Sequence, residues 1–131
     1  MVIDSSALLA IFLGEPERKR FLDLITGAER RLISAANALE AGIVLEAKRG
    51  EAAGREFDLF LQRAQIEVVA VDFEQVEMAR LAWRRYGKGR HPAALNFGDC
   101  FAYALAKISG EPLLAKGDDF SQSDLELCGE I

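Results

Sequence analysis

Carboxylates stand in unexpected places in this 131-residue chain. The stretch "LNFGDCFAYALAK", Leu95 to Lys107, is apolar on every side from Phe101 onward, the signature of a buried helix, yet Asp99 stands at its mouth. Asp4 ends the opening apolar run "MVID", and Asp118 and Asp119 follow "EPLLAK" after a single glycine. Glu40 belongs to "NALEAGIVLEAKRG", where the helical line through Ala36, Val44 and Ala47 is small and apolar. Carboxylates that meet at one point can hold a cation. Two ionised groups ~5 Å apart repel by about 3 kcal/mol at an effective dielectric near 20. Several such pairs would consume a folding stability of ~5–15 kcal/mol. Protons or a cation must then intervene, and oxygen-only ligands select hard ions such as Mg²⁺ or Mn²⁺.

Each acid also has a plain structural account. Asp4 suits the N-cap of the helix after it. Asn96 with Asp99 three residues on has the pattern of a capping box, and Asp118 and Asp119 suit a turn. A lone Glu on a helix is ordinarily solvated. Spacing by itself leaves both accounts open.

The elements that must carry these residues alternate. "MVID" is a short strand, "SSALLAIFLG" a helix, "EPERKRFLDLIT" a second helix and "RLISA" a strand. Helices follow at "NALEAGIVLEAKRG" and "AAGREFDLFLQRA". "IEVVAVD" has the clearest strand character, rich in β-branched residues. "FEQVEMARLAWRRYG" is a helix, "GKGRHPAALN" a loop, "EPLLAK" the last strand and "GDDFSQSDLELCGEI" an irregular tail. Short apolar strands between helices predict an α/β fold, with helices covering a mainly parallel sheet. Sites in such sheets form beyond the carboxyl ends of the strands, which is where Asp4, Asp118 and Asp119 stand.

The remaining composition narrows the chemistry. The length suits one domain over residues 1–131. No apolar run is long enough for a membrane span, and a cytoplasmic location is expected. Cys100 and Cys128 fit no metal or redox spacing, and the single histidine, His91, argues against a Ser–His–Asp triad or a histidine-rich zinc site. The net charge of −5 opposes broad nonspecific binding of nucleic acid. "RRYGKGRH" nevertheless places four of the sixteen Lys and Arg within eight residues, together with Tyr86. Arg84 and Arg85 suit a helix C-terminus. Lys88 and Arg90 suit RNA phosphates, and Tyr86 or His91 an unpaired base.

"MVIDSSALLAIFLGEPE", "ISAANALEAGIVLEAK", "LNFGDCFAYALAK" and "PLLAKGDDF" together resemble PIN-domain proteins, most of all VapC toxins of VapBC toxin–antitoxin pairs. The resemblance covers nearly the whole chain in order. It implies a three-layer α/β/α fold and a Mg²⁺- or Mn²⁺-dependent ribonuclease that hydrolyses phosphodiester bonds. It also implies a VapB-type antitoxin as inhibitor and a homodimer. The family's acids match Asp4, Glu40 and Asp99, and its polar residue after the first acid matches Ser5. The fourth acid matches Asp119, with Asp118 as its rival. Gly117 departs from the pattern, standing where many relatives carry Asp. Leu9, Phe12 and Leu13 would wall a groove for the antitoxin, whose arginine would reach Asp4 and Asp99. Two other readings remain: a PIN-fold nuclease with no antitoxin, and an acidic α/β signalling or binding module such as a phosphoacceptor receiver, which needs one reactive strand-end Asp and no helical Glu.

Overall fold

The computed structural model describes residues 1–129; the last two residues of the expected tail, Glu130 and Ile131, lie outside it. The elements run β1 (Val2–Ile3), α1 (Ser5–Phe12), α2 (Arg18–Gly27), β2 (Leu32–Ser34), α3 (Ala35–Arg49), α4 (Glu51–Arg63), β3 (Glu67–Val69), α5 (Phe73–Tyr86), α6 (Phe97–Ser109) and β4 (Leu113–Leu114). A 3₁₀ turn spans Phe120–Gln122. The sheet has the order β3-β2-β1-β4, and all its pairings are parallel.

The strands are short because each needs only to present one side chain or two to each face. Side chains alternate across a strand. Ile3, Ile33 and Leu114 join a core with α1–α4, whereas Val2, Leu32 and Leu113 join a second core with α5 and α6. The result is the expected three-layer α/β/α arrangement. Both faces of β1, β2 and β4 are buried, so "VI", "LI" and "LL" read as continuous apolar pairs rather than an alternation.

Several expected boundaries shift: the strand expected over "EPLLAK" pairs only at Leu113–Leu114 and the helix expected from Asn37 starts at Ala35. The expected strand at Ile66–Asp72 pairs only over Glu67–Val69, and Glu67 and Val68 are exposed. It is one of the sheet's two outer strands, and its exposed β-branched residues reflect strand propensity rather than burial on both faces. The second helix starts at Arg18, not Glu15. Glu15 and Glu17 instead form a turn whose carboxylates pair with Lys116, just after β4.

Loop 87–96 is a closed structure. Gly87 and Leu95 form a bridge, with Lys88 N–H donating to the Leu95 carbonyl at 2.9 Å. Leu9, Phe12 and Leu13 are half-buried against the first core, and Phe12 meets Phe57 and Phe60 edge-on at 5.7 and 5.3 Å. This packing against the core is ordinary core work that leaves part of each side chain in solvent.

Candidate active site

Asp4 follows β1 directly, and its backbone N–H donates to the Leu114 carbonyl of β4 at 2.9 Å. The residue is therefore fixed at the carboxyl ends of the neighbouring strands β1 and β4. It is also the N-cap of α1: Oδ2 accepts from Ser6 N–H at 3.0 Å. Asp4 is only 3% exposed, and its other oxygen, Oδ1, is buried with no hydrogen-bond partner. Capping uses one oxygen and leaves the second unsatisfied, at a desolvation cost on the order of 1–3 kcal/mol or more.

Asp99 repeats this division. Asn96 caps α6 by accepting from Asp99 N–H at 2.9 Å, and Asp99 Oδ2 accepts from Asn96 N–H at 3.0 Å, completing the capping box. Asp99 Oδ1 takes no part in the box. The structural and chemical accounts of Asp4 and Asp99 are thus compatible, because a carboxylate has two oxygens. Each acid also sits at the positive end of a helix dipole, which favours its ionised form.

Glu40 lies on α3, half-buried, and Oε1 accepts from Ser5 Oγ at 2.5 Å. Its carboxylate also lies against Gly98. A Cβ on Gly98 would stand 2.6 Å from Glu40 Oε2, so any side chain there would push the Glu40 carboxylate out of this position. Asp118 and Asp119 are exposed in the turn after β4. Asp119 precedes the 3₁₀ turn but makes no side-chain cap. Gly117 has φ +96°, a conformation that L side chains rarely adopt. That is a backbone reason for glycine where the resemblance leads one to look for an acid.

The electrostatics link the same four acids. Burial pushes the Asp4 carboxyl up to about 6, and the charges of Asp99 and Glu40 add to the rise, against hydrogen bonds from Ser6. Burial also raises Asp99, with Asp119 and Glu40 adding and the Asn96 bond opposing. Asp119, not Asp118, is the turn acid whose charge reaches Asp99. Among the described residues no three ligand-type side chains form a closed ion cage as they stand. The donor set nevertheless fits a hard divalent cation. It is all oxygen, mutually repulsive, and includes a buried carboxylate oxygen in want of a partner.

The stretch 84–91 is arranged differently from expectation. Tyr86 and His91 meet edge-on at 5.1 Å, Tyr86 tilts against Tyr103, and His91 Nδ1 accepts from Ala93 N–H at 3.0 Å. These half-buried rings are committed to holding the loop, so the expected base-stacking role does not suit them. The exposed ring is Trp83, with the Arg90 guanidinium 4.1 Å above it. Lys88 lines a groove of about 610 Å³ between α5 and α6, together with Trp83, Asn96 and Phe97. This groove lies beside the acids rather than on them.

Sequence reasoning missed Gly98 and Asn37. Asn37 is fully buried and donates from Nδ2 to the Gly98 carbonyl at 3.0 Å. The one signal in the sequence was an amide three residues before Glu40 on the same helix, easily taken for a surface residue.

A parallel sheet with acids converging at its carboxyl edge, fed by the N-termini of two helices, defines a class. The PIN domain family model matches residues 1–125. VapC ribonuclease Mb0640 of Mycobacterium bovis is 54% identical over 125 residues, covering 95% of each chain. Among solved structures, Mycobacterium tuberculosis VapC20, described as a sarcin-ricin loop cleaving toxin, superposes with a TM-score of 0.77 at 19% identity over 95% of each chain. VapBC2 from Rickettsia felis, solved bound to a DNA fragment from its promoter, gives a TM-score of 0.72 at 14% identity, covering 96% of this chain and 94% of that one. The chain belongs to the PIN-domain family, and within it to the VapC ribonucleases.

Proposed function

We propose that this chain, as a single PIN domain, is a Mg²⁺- or Mn²⁺-dependent endoribonuclease, the toxin of a pair restrained by a VapB-type antitoxin in the cytoplasm. The observation that carries the metal reading is Asp4: buried, raised to about 6 by burial and its acidic neighbours, with one oxygen unpaired. Asp4 and Asp99 would hold the ion through the oxygens that capping leaves over. Glu40, kept in place by Ser5, and Asp119, at the exposed rim, would complete the ligand set; Asp119 is preferred to Asp118 because its charge adds to the rise of Asp99. A divalent ion bound there supplies Lewis acidity and a nucleophile at neutral pH. The side chains orient the carboxylates, and the helix N-termini steady their charge. A receiver-like module is disfavoured, since it has no use for a glutamate clamped across from its aspartate. The direct test is cleavage of RNA by purified protein. Cleavage should appear on addition of Mg²⁺ or Mn²⁺ and stop with EDTA; a protein inert with both ions rules the function out.

RNA would be held by Lys88 and Arg90, with Trp83 as the platform for an unpaired base. Changing Lys88 and Arg90 together to Ala should weaken RNA binding and lower the salt slope by roughly 0.7 per lost phosphate contact. Metal uptake should not change. An affinity and slope equal to the parent's would return these residues to loop structure.

The expected homodimer has a surface to use. Leu39 and Ile43 on α3 are 64% and 57% exposed, and Phe97 at the start of α6 is 82% exposed. Leu39, Ile43, Phe97 and Phe101 line one groove, which makes this strip continuous. Monomers rarely leave such a patch bare. Ile43→Glu should sediment as a monomer where the parent is a dimer; a parent that is monomeric at high concentration refutes the dimer.

A further inference from the structure

Asn37 is fully buried, yet its carboxamide is only half satisfied. Nδ2 donates to the Gly98 carbonyl at 3.0 Å, while Oδ1 is buried without a partner. An apolar side chain at this position would avoid that cost. What the amide provides is a tie between two helices. It joins α3, one turn before Glu40, to the first turn of α6, one residue before Asp99. Gly98 receives both contacts: the Asn37 bond at its carbonyl, and the Glu40 carboxylate against its Cα, where a Cβ would come within 2.6 Å of Oε2. Side chains three apart on a helix share a face, so Asn37 and Glu40 grip the same residue from one helix.

The geometry points to Asn37 as a positioning residue for the carboxylate site, setting the separation of Glu40 from Asp99 by clamping Gly98. This rests on the reading of those acids as metal ligands. Asn37 touches neither metal nor RNA. Two carboxylates on different helices bind one ion well only when their spacing is held, because a ligand that must be moved into place costs affinity. Residues that orient ligands in this way typically change metal affinity or activity by 10–100-fold when lost.

The test uses Asn37→Leu, close to Asn in shape but without a donor, and Asn37→Ala. Melting is followed in EDTA, Mn²⁺ uptake by the electron paramagnetic resonance of the free ion, and RNA cleavage by kcat and KM. The expected result is a metal-free variant that still melts cooperatively and binds Mn²⁺ roughly tenfold more weakly. Its kcat should fall by at least a similar factor, with KM for RNA unchanged. A folded variant with parental Mn²⁺ affinity and kcat overturns the inference while leaving the metal site standing. If neither variant melts cooperatively, Asn37 is needed for the fold itself and the positioning role is wrong. A parent protein that takes up no Mn²⁺ shows that the metal reading has failed, and the inference falls with it.

Discussion

An Asp4→Asn protein is expected to lose RNA cleavage by roughly 10²–10³-fold or more while melting higher than the parent in EDTA at pH 7. The first effect follows from removing the buried carboxylate charge that would hold the ion. The second follows from proton linkage. The folded pKa of Asp4 is raised from 3.8 to about 6. Between those values the folded state binds the proton more tightly than the unfolded chain, so stability falls as pH rises through about 6. Above that pH the ionised, buried Asp4 costs about 3 kcal/mol, taking 1.36 kcal/mol per pKa unit as an order of magnitude. Asn removes that charge but keeps an oxygen to cap Ser6 N–H, so the helix start is preserved. The gain should raise Tm by on the order of 10 °C at pH 7 for a chain of this size. It should shrink toward zero near pH 4, where the parent's Asp4 is itself protonated. Melting curves in EDTA from pH 4 to 8 check the sign. A variant that melts lower at every pH, or that cleaves RNA at the parental rate, removes Asp4 from the site.

The cognate inhibitor offers the second large effect. A buried carboxylate oxygen without a partner, beside Asp99, is a strong target for a guanidinium, which donates two parallel hydrogen bonds to a carboxylate. An antitoxin arginine inserted between Asp4 and Asp99 would neutralise the repulsion that otherwise needs a cation. Replacing that arginine with Ala leaves the acids buried and unpaired in the complex, a loss of 2–5 kcal/mol for such pairs, or roughly 30- to 5000-fold in Kd. Inhibition should also compete with Mg²⁺, since both would claim the same oxygens. The measurement is Kd for the two antitoxin forms at low and high Mg²⁺. An antitoxin that binds equally well with every arginine replaced, and without regard to Mg²⁺, acts elsewhere. The exposed parts of Leu9, Phe12 and Leu13 would then be all that remains of the proposed contact.

Some of this protein is written in local chemistry. Apolar pairs followed by acids announce short strands with their carboxyl ends at a site. Asn96 with Asp99 announces the capping box, and Gly14 and Gly50 announce helix ends. The resemblance carried by "VIDSSAL", "LEAGIVL" and "FGDCFAYALAK" leads to the family and to Asp4, Glu40 and Asp99 as the acids to follow. These features are legible because capping, strand burial and helix periodicity depend on neighbours within a turn or a pleat.

Other features depend on neighbours far along the chain. Ile66–Asp72 has strand-forming residues, but only the strand order decides that Glu67–Val69 is the exposed edge. Tyr86 and His91 look like free aromatic groups in a basic loop until Tyr103 and Ala93 engage them. That the charge of Asp119 adds to the rise of the Asp99 carboxyl follows from how the turn after β4 packs beside α6, which two adjacent acids in a sequence do not reveal. Asn37 and Gly98 are 61 residues apart. Nothing local marks an amide and a glycine as partners. Only the packing of α3 against α6 makes one the clamp and the other the space into which Glu40 fits, because a hydrogen bond and a missing Cβ acquire meaning only from what stands opposite them.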